Sequence, residues 1–210
     1  MKRILVTAAV LLVGVLTTTA QADEALGLGV AGKASTLGYG VELGYRFNNY
    51  LALRAGLNKG SFGYSATTGG NDYNYTMDFD NIPVSVDWFV LGGTFRVTGG
   101  LVSNNNILTG ISNGTANIGG TPTTTTVTTE TRFAKTSAYL GIGWGGVPSP
   151  TKGLGMSFDL GVLGQGSPTT TITAPGVPPA DIAAEEATIN NDLKNYKYWP
   201  VVSVGIGYTF

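Results

Sequence analysis

Few side chains in this sequence could perform chemistry, because it contains neither histidine nor cysteine. Without histidine, a serine or aspartate nucleophile lacks the base that titrates near neutral pH. Asp78 and Asp80 lie two residues apart and could in principle share acid–base work. Ion pairing with Arg54 or Arg96 is the competing fate, and it is the one expected of carboxylates in a narrow interior. Asn71, Asp72, Asp78 and Asp80 offer oxygens to calcium, but the Asp-x-Asp-x-Asp-Gly spacing of a calcium loop is missing. Gly27-x-Gly29-x-x-Gly32 has the spacing of a dinucleotide-binding turn. Such a turn must open a helix, whereas another alternating segment follows here. The residue types therefore point to no enzyme, no metal site and no cofactor.

What remains is a set of charges placed at even spacing: Lys33, Glu42, Arg46, Arg54, Asp78, Asp80, Asp87, Arg96, Lys135 and Asp159. Each sits in the smaller, more polar row of a segment that alternates with period two. That period sends successive side chains to opposite faces of a strand. The last segment displays it most fully. Tyr198, Pro200, Val202, Val204, Ile206, Tyr208 and Phe210 share one face, and Trp199, Val201, Ser203, Gly205, Gly207 and Thr209 share the other. A soluble sandwich would bury the apolar row, while a barrel in lipid turns it outward and keeps the polar row inside.

Eight segments alternate in this way, each near the roughly 9–11 residues that a tilted strand needs to cross a bilayer. They lie at about 26–33, 37–47, 51–58, 75–88, 94–104, 132–144, 154–163 and 198–210. The second sends Leu37, Tyr39, Val41, Leu43, Tyr45 and Phe47 outward. In the fourth, Tyr75, Met77 and Phe79 are out of phase with Ile82, Val84, Val86 and Trp88, which predicts a β-bulge at Asp80-Asn81 beside Pro83. Aromatic residues near the short turns (Tyr45, Phe47, Trp88, Phe89, Trp144, Tyr208, Phe210) form one expected interfacial girdle. Tyr64, Tyr73, Tyr75, Phe133 and Tyr198 form the expected upper one. Eight strands leave an interior just filled by side chains, so the ten charges should pair into a plug, with Val102, Leu163 and Val201 as apolar inward positions.

The N-terminus agrees with export. Lys2 and Arg3 precede an apolar run from Ile4 to Leu16, too short to span a bilayer, and Ala20-Gln21-Ala22 follows as an A-x-A cleavage site. Residues 1–22 are expected to be a cleaved secretory leader and 23–210 the barrel. A formal net charge of −1 gives no basic face for nucleic acid.

At this point the chain resembles the small eight-stranded outer-membrane barrels of Gram-negative bacteria, the OmpA-like, OmpW-like and opacity-type proteins. The residues that carry the likeness are Gly38-Tyr39-Gly40-Val41-Glu42-Leu43, Ala138 to Trp144, Phe158-Asp159-Leu160-Gly161-Val162 and Pro200 to Phe210. The resemblance implies an all-β, antiparallel up-and-down transmembrane barrel. It also implies that Tyr208 and Phe210 act as a signal to the barrel assembly machinery, and that outer-membrane lipids including lipopolysaccharide surround the protein. Fold alone does not choose among anchors, adhesins, enzymes and channels.

Three connections are long: 64–74, 105–131 and 164–197. The second, rich in Asn, Gly and Thr, reads as a solvated loop whose threonine end can extend neighbouring strands. In the third, Asp181 can cap a helix over 180–195, with Ile182, Ile189, Leu193 and Tyr196 on one stripe. Two readings of function follow. One is a structural surface barrel with a plugged, salt-bridged lumen; the other is a narrow channel or transporter for small hydrophobic solutes that enter beneath the helix.

Overall fold

The computed structural model describes residues 27–68, 71–118 and 121–210. The expected leader, with Ala20 and Ala22 at its cleavage site, lies outside the described residues. In chain order the strands are β1 (Leu28–Ser35), β2 (Gly38–Arg46), β3 (Leu51–Thr68), β4 (Asn71–Phe89), β5 (Phe95–Asn104), β6 (Ile107–Ile118), β7 (Thr121–Arg132), β8 (Thr136–Gly145), β9 (Gly153–Gly164), β10 (Thr169–Thr173) and β11 (Tyr198–Thr209). One α-helix, α1 (Pro179–Leu193), precedes β11.

Eight of these strands close a ring. β1 pairs with β2 on one side and β11 on the other, and the circuit continues through β3, β4, β5, β8 and β9 back to β11. All pairings are antiparallel. Closure removes the free edges that a flat sheet would expose. The outer row is apolar and open to the surroundings: Leu154 is 81% and Met156 73% exposed, and Leu43, Val204 and Ile206 are exposed as well. Large aliphatic side chains in an unbroken outward belt have no stable place in water and are satisfied by acyl chains. Rings gather at the short-turn end of the belt, with Tyr45–Phe47, Phe95–Trp144 and Tyr208–Phe210 centroids 5.1–5.3 Å apart. Among the described residues no helix is long and apolar enough to span a membrane.

Two of the three long loops are instead strand. β3 and β4 run in one register from Leu51 opposite Trp88 to Thr68 opposite Asn71. Pairing lapses opposite Pro83, which has no N–H to give, yet resumes with no residue gained. The bulge expected at Asp80-Asn81 is therefore not there. β6 and β7 form a hairpin across 107–132, and Arg132 belongs to β7 instead of opening the next barrel strand. The upper half of β4 (Tyr73–Asp78) pairs with β6 in the same register in which its lower half pairs with β5. Asn105 and Asn106 bridge the break between β5 and β6. Asn105 N–H donates to Asp80 O at 2.9 Å, and Asn106 Oδ1 accepts from Asp80 N–H at 3.1 Å.

Five strand lines thus rise above the barrel as a sheet in the order β3-β4-β6-β7-β10. α1 packs on its inner face. Ile182 and Ile189 lie against a small core of Ile118, Val127, Ile172, Ala174 and Val177, while Tyr196, placed on the same stripe by its spacing, is exposed and follows the helix. Pro178, not Asp181, occupies the N-cap, and Pro179 opens the first turn, where proline's fixed φ and missing N–H are tolerated. α1 also closes the outer edge of β10. Glu186 Oε1 accepts from Ile172 N–H at 2.7 Å. Asn190 accepts from Thr170 N–H at 2.7 Å and donates to Thr170 O at 3.1 Å. Four residues of helix rise about 6 Å and two residues of strand about 6.8 Å, so side chains four apart on α1 meet alternate residues of the edge.

Two outcomes test this arrangement. Val204→Arg, at mid-height on the lipid face, should cost about 2–4 kcal/mol, whereas Leu154→Arg near the short turns should cost about 0–1 kcal/mol, measured by denaturant unfolding in phospholipid vesicles. In the double variant Glu186→Ala/Asn190→Ala, the amides of Thr170 and Ile172 should lose hydrogen-exchange protection while those of β8 and β9 keep it.

Candidate functional site

The inward rows meet in a ring of ions. Lys33 from β1, Glu42 from β2, Arg54 from β3, Asp87 from β4, Arg96 from β5 and Asp159 from β9 alternate in sign around the lumen. Lys33 Nζ donates to Glu42 Oε2 at 3.1 Å and lies 3.6 Å from Asp159 Oδ2. Arg54 Nη1 donates to Glu42 Oε1 at 3.0 Å, and its Nε and Nη2 reach the two oxygens of Asp87 at 2.5 and 2.8 Å. Arg96 Nε stands 3.6 Å from Asp87 Oδ1, and Arg96 Nη2 donates to Asp159 Oδ1, which closes the circuit. Every cation lies between two carboxylates and every carboxylate between two cations. A chord from Arg54 Nη2 to Asp159 Oδ1, 3.6 Å, crosses the middle.

Burial makes that pairing obligatory. Arg96 is 1% and Asp159 2% exposed, and an isolated buried charge costs several kcal/mol. Neutral groups take up the remaining carboxylate lone pairs: Thr98 Oγ1 donates to Asp87 at 2.6 Å and Ser203 Oγ to Asp159 at 3.2 Å. Small residues give the long side chains room. A Cβ on Gly143 would collide with both the Asp159 carboxylate and the Arg96 guanidinium.

Layers lie on both sides of the ring. On the short-turn side, the β8–β9 connection folds beneath it. Val147 and Pro148 are buried against Gly29 and Gly44, and Ser149 N–H donates to Thr209 Oγ1 at 2.8 Å. On the other side, Leu37, Val102, Leu163 and Val201 form an apolar layer with Tyr139 and Trp199 packed against it. Trp199 meets Phe79 from the opposite wall, with centroids 6.0 Å apart. Between ring and apolar layer lies a cavity of about 50 Å³, bordered by Lys33, Glu42, Arg54, Tyr139, Asp159 and Ser203 among others. That volume suits a few waters.

Of the ten charges read as inward, the structure brings these six together and places four elsewhere. Arg46 is buried below the ring, where Nε and Nη2 donate to the Asn48 and Asn49 carbonyls at 3.1 and 2.7 Å and the guanidinium covers the Phe89 ring at 3.7 Å. Asp78 and Asp80 face outward above the membrane, because β4 carries no bulge to turn them in; Asp80 pairs with Lys59 at 3.6 Å. Lys135 is exposed in the break between β7 and β8. Leu37 and Phe89, read as outward, point inward. Phe89 shares the parity of Asp87, so its face was available from spacing. Leu37 lies in the β1–β2 turn, where Gly38 takes φ +93 and strand parity no longer applies. The roles of Thr98, Ser203 and the Val147-Pro148 turn were missed; Ser203 belongs to the polar row already drawn, and Thr98 shares the parity of Arg96.

Tyr64, Tyr73 and Tyr75, expected in an outward girdle, instead line the inner face of the sheet above the rim. Tyr64–Tyr75 and Tyr73–Tyr75 stack at 5.1 and 5.6 Å, and the Tyr75 ring covers Gly110. Burial, with the neighbouring Tyr75 and the Glu185 carboxylate of α1, raises the Tyr73 phenol above its ordinary pKa. Among the described residues no group of three or more Asp or Glu is placed to hold a metal ion.

No protein-family model matches the chain, and no curated protein matches it. Solved structures do, among them two from one organism. The CarO2 protein of Acinetobacter baumannii superposes with a TM-score of 0.62 at 20% identity, over 90% of this chain and 100% of that one. CarO of the same organism gives a TM-score of 0.57 at 23% identity, over 87% and 97%. Both are outer-membrane β-barrel proteins, and the likeness establishes the fold as a small barrel of the Gram-negative outer-membrane type.

Asp159→Asn should unbalance three cations at once and cost about 3–5 kcal/mol. Asp80→Asn, on an exposed pair, should cost less than about 1 kcal/mol. Urea unfolding of both variants in vesicles checks the contrast.

Proposed function

We propose that this protein is a surface barrel of the outer membrane of a Gram-negative bacterium, with a plugged lumen, whose contacts with the exterior are made above the rim. The observation that carries the reading is the closed ring of six alternating charges, which spans the lumen between Val147-Pro148 and the Leu37–Val201 layer. A hydrophobic solute crossing that level would have to separate buried ion pairs, each several kcal/mol costly to break. The competing reading, a narrow path for small hydrophobic solutes, draws on the apolar layer under α1, but the ring lies directly in its way.

In this reading the chain is exported through the periplasm behind the leader cleaved after Ala22. It is recognised by the barrel assembly machinery through the row that ends in Tyr208 and Phe210, and it is surrounded by outer-membrane lipids including lipopolysaccharide. No catalytic role and no cofactor are proposed. Every ring carboxylate is held between cations, which supports that choice.

The refolded mature protein in planar bilayers should give no conductance steps above the empty membrane, and deletion of 165–197 should leave it silent, because the ring does not depend on α1. Steps from the wild type, or uptake of a small apolar solute into vesicles, would move the assignment to the channel. Turnover of phospholipid or lipopolysaccharide by purified protein would move it to an enzyme.

A further inference from the structure

The sheet above the rim has two long edges, and only one is closed. The β10 edge is bonded by Glu186 and Asn190. At the other end of the sheet, β2 pairs with β3 only as far as Tyr39 opposite Lys59, while β3 continues to Thr68. Gly38 and Gly40 lie against the carbonyls of Lys59 and Leu57, so the odd-numbered residues of β3 turn their backbone groups toward β2. By the same alternation, Ser61, Gly63, Ser65 and Thr67 direct N–H and C=O to the side on which β2 has ended. No strand among the described residues pairs there.

An unpaired edge is a template for another strand, and proteins usually blunt it with charge, proline or a bulge. From Gly60 to Thr68 the sequence reads Gly-Ser-Phe-Gly-Tyr-Ser-Ala-Thr-Thr, with no charge and no proline, and the register with β4 holds throughout. Beside the edge, on the inner face, Phe62 is 63% and Tyr64 45% exposed. Their rings stack at 6.3 Å and continue onto Tyr75 at 5.1 Å.

We propose that the open edge of β3 between Ser61 and Thr67 receives an extended polypeptide segment of another protein as an added antiparallel strand. The segment is uncharged and has apolar side chains at every second position. The added strand continues the β2–β3 interface: it lies on the line of β2 and arrives at Gly38 with its C-terminal end. The backbone supplies affinity, and Phe62 and Tyr64 select alternate side chains, the usual division in strand addition. A second copy in the same membrane does not fit. Two upright barrels related by rotation about the membrane normal both run β3 outward, so their edges cannot pair antiparallel. The proposal rests on the surface-contact reading and names its partner class.

The test uses the refolded mature protein in lipid nanodiscs and a labelled peptide with the sequence of Asn71–Asp80, which β3 already pairs with on its other side, made uncharged by Asp72→Asn, Asp78→Asn and Asp80→Asn. Controls carry N-methyl groups on alternate amides, in both phases. The free protein should show fast hydrogen exchange at Ser61, Gly63, Ser65 and Thr67 and slow exchange at Phe62 and Tyr64. Peptide binding should be saturable and should slow the first set by at least about tenfold. Methylation in the ladder phase should abolish binding, and Gly63→Pro and Ser65→Pro should each weaken it by at least about tenfold, because each removes an edge N–H and leaves the β4 ladder intact. Slow exchange at Phe62 and Tyr64 in these variants certifies that the sheet is folded.

Three results would overturn the proposal: no saturable binding, equal binding of every methylated peptide, or slow exchange at the four edge amides without peptide. Edge protection that grows with protein concentration alone would assign the edge to a second copy. None of these results alters the conductance test, so failure here leaves the closed lumen standing.

Discussion

The rest of this molecule depends on six buried charges that must alternate in sign around a closed circuit. Lys33, Glu42, Arg54, Asp87, Arg96 and Asp159 come from six different strands, and each touches at least two opposite charges. In a low-dielectric lumen the arrangement is all or nothing, since removing one member leaves at least two neighbours undercompensated. It also fixes register. A slip of one residue in any of these strands would turn its charge into the acyl chains and its aliphatic row into the lumen. A slip of two would lift the charge out of the plane of its partners. The ring therefore serves as a registration device for the barrel.

Strands that continue past the ring need a different core. Between β5 and β6 the chain gives up two residues, yet Asn105 N–H and the Asn106 amide oxygen take up the backbone groups of Asp80 that the break leaves behind. The sheet consequently passes from barrel to extension with no loss of pairing on β4. Once out of the ring it has an inner face no longer surrounded by other strands, and α1 covers part of that face with Ile182 and Ile189. Toward the β3 edge the same face carries the stacked rings of Phe62, Tyr64, Tyr75 and Tyr73.

Architecture was legible because period-two alternation survives wherever a strand separates lipid from lumen. All eight ring strands and the helix before β11 could be drawn from residue spacing, and the antiparallel order followed from the family resemblance. Parity drew ten inward charges, and the six members of the ion ring lie on the face it gave them. Parity failed where its premise failed: Lys135 and Leu37 lie in connections, and Arg46 keeps the right face at a level where backbone carbonyls replace carboxylates as partners. The β6–β7 hairpin was hidden by composition. Its Asn, Gly and Thr residues look like loop, and they form strands because β4 offers an edge to pair with, a long-range cause that no local window contains.

The error at Asp78 and Asp80 has a more general lesson. A reversal of hydrophobic phase along a strand has two physical causes, an extra residue or a change of medium. On β4 the outward row passes from Trp88, Val86, Val84 and Ile82 to Asp80 and Asp78, while the inward row passes from Asp87 and Ser85 to Phe79, Met77 and Tyr75. On β3 the outward row passes from Leu51, Leu53 and Leu57 to Lys59 and Ser61, and the inward row from Arg54 and Asn58 to Phe62 and Tyr64. Asn58 and Asn81, where both strands invert, are direct partners in an unbroken register. A bulge inverts one strand against its neighbour; a boundary inverts both at one height. Below that height the outside is oil and the inside holds ions. Above it the outside is water and the inside must supply its own apolar core, so the same two faces exchange chemistry without moving. The rim of the membrane is thus written in the sequence as a paired inversion, and two adjacent strands must be read together to see it.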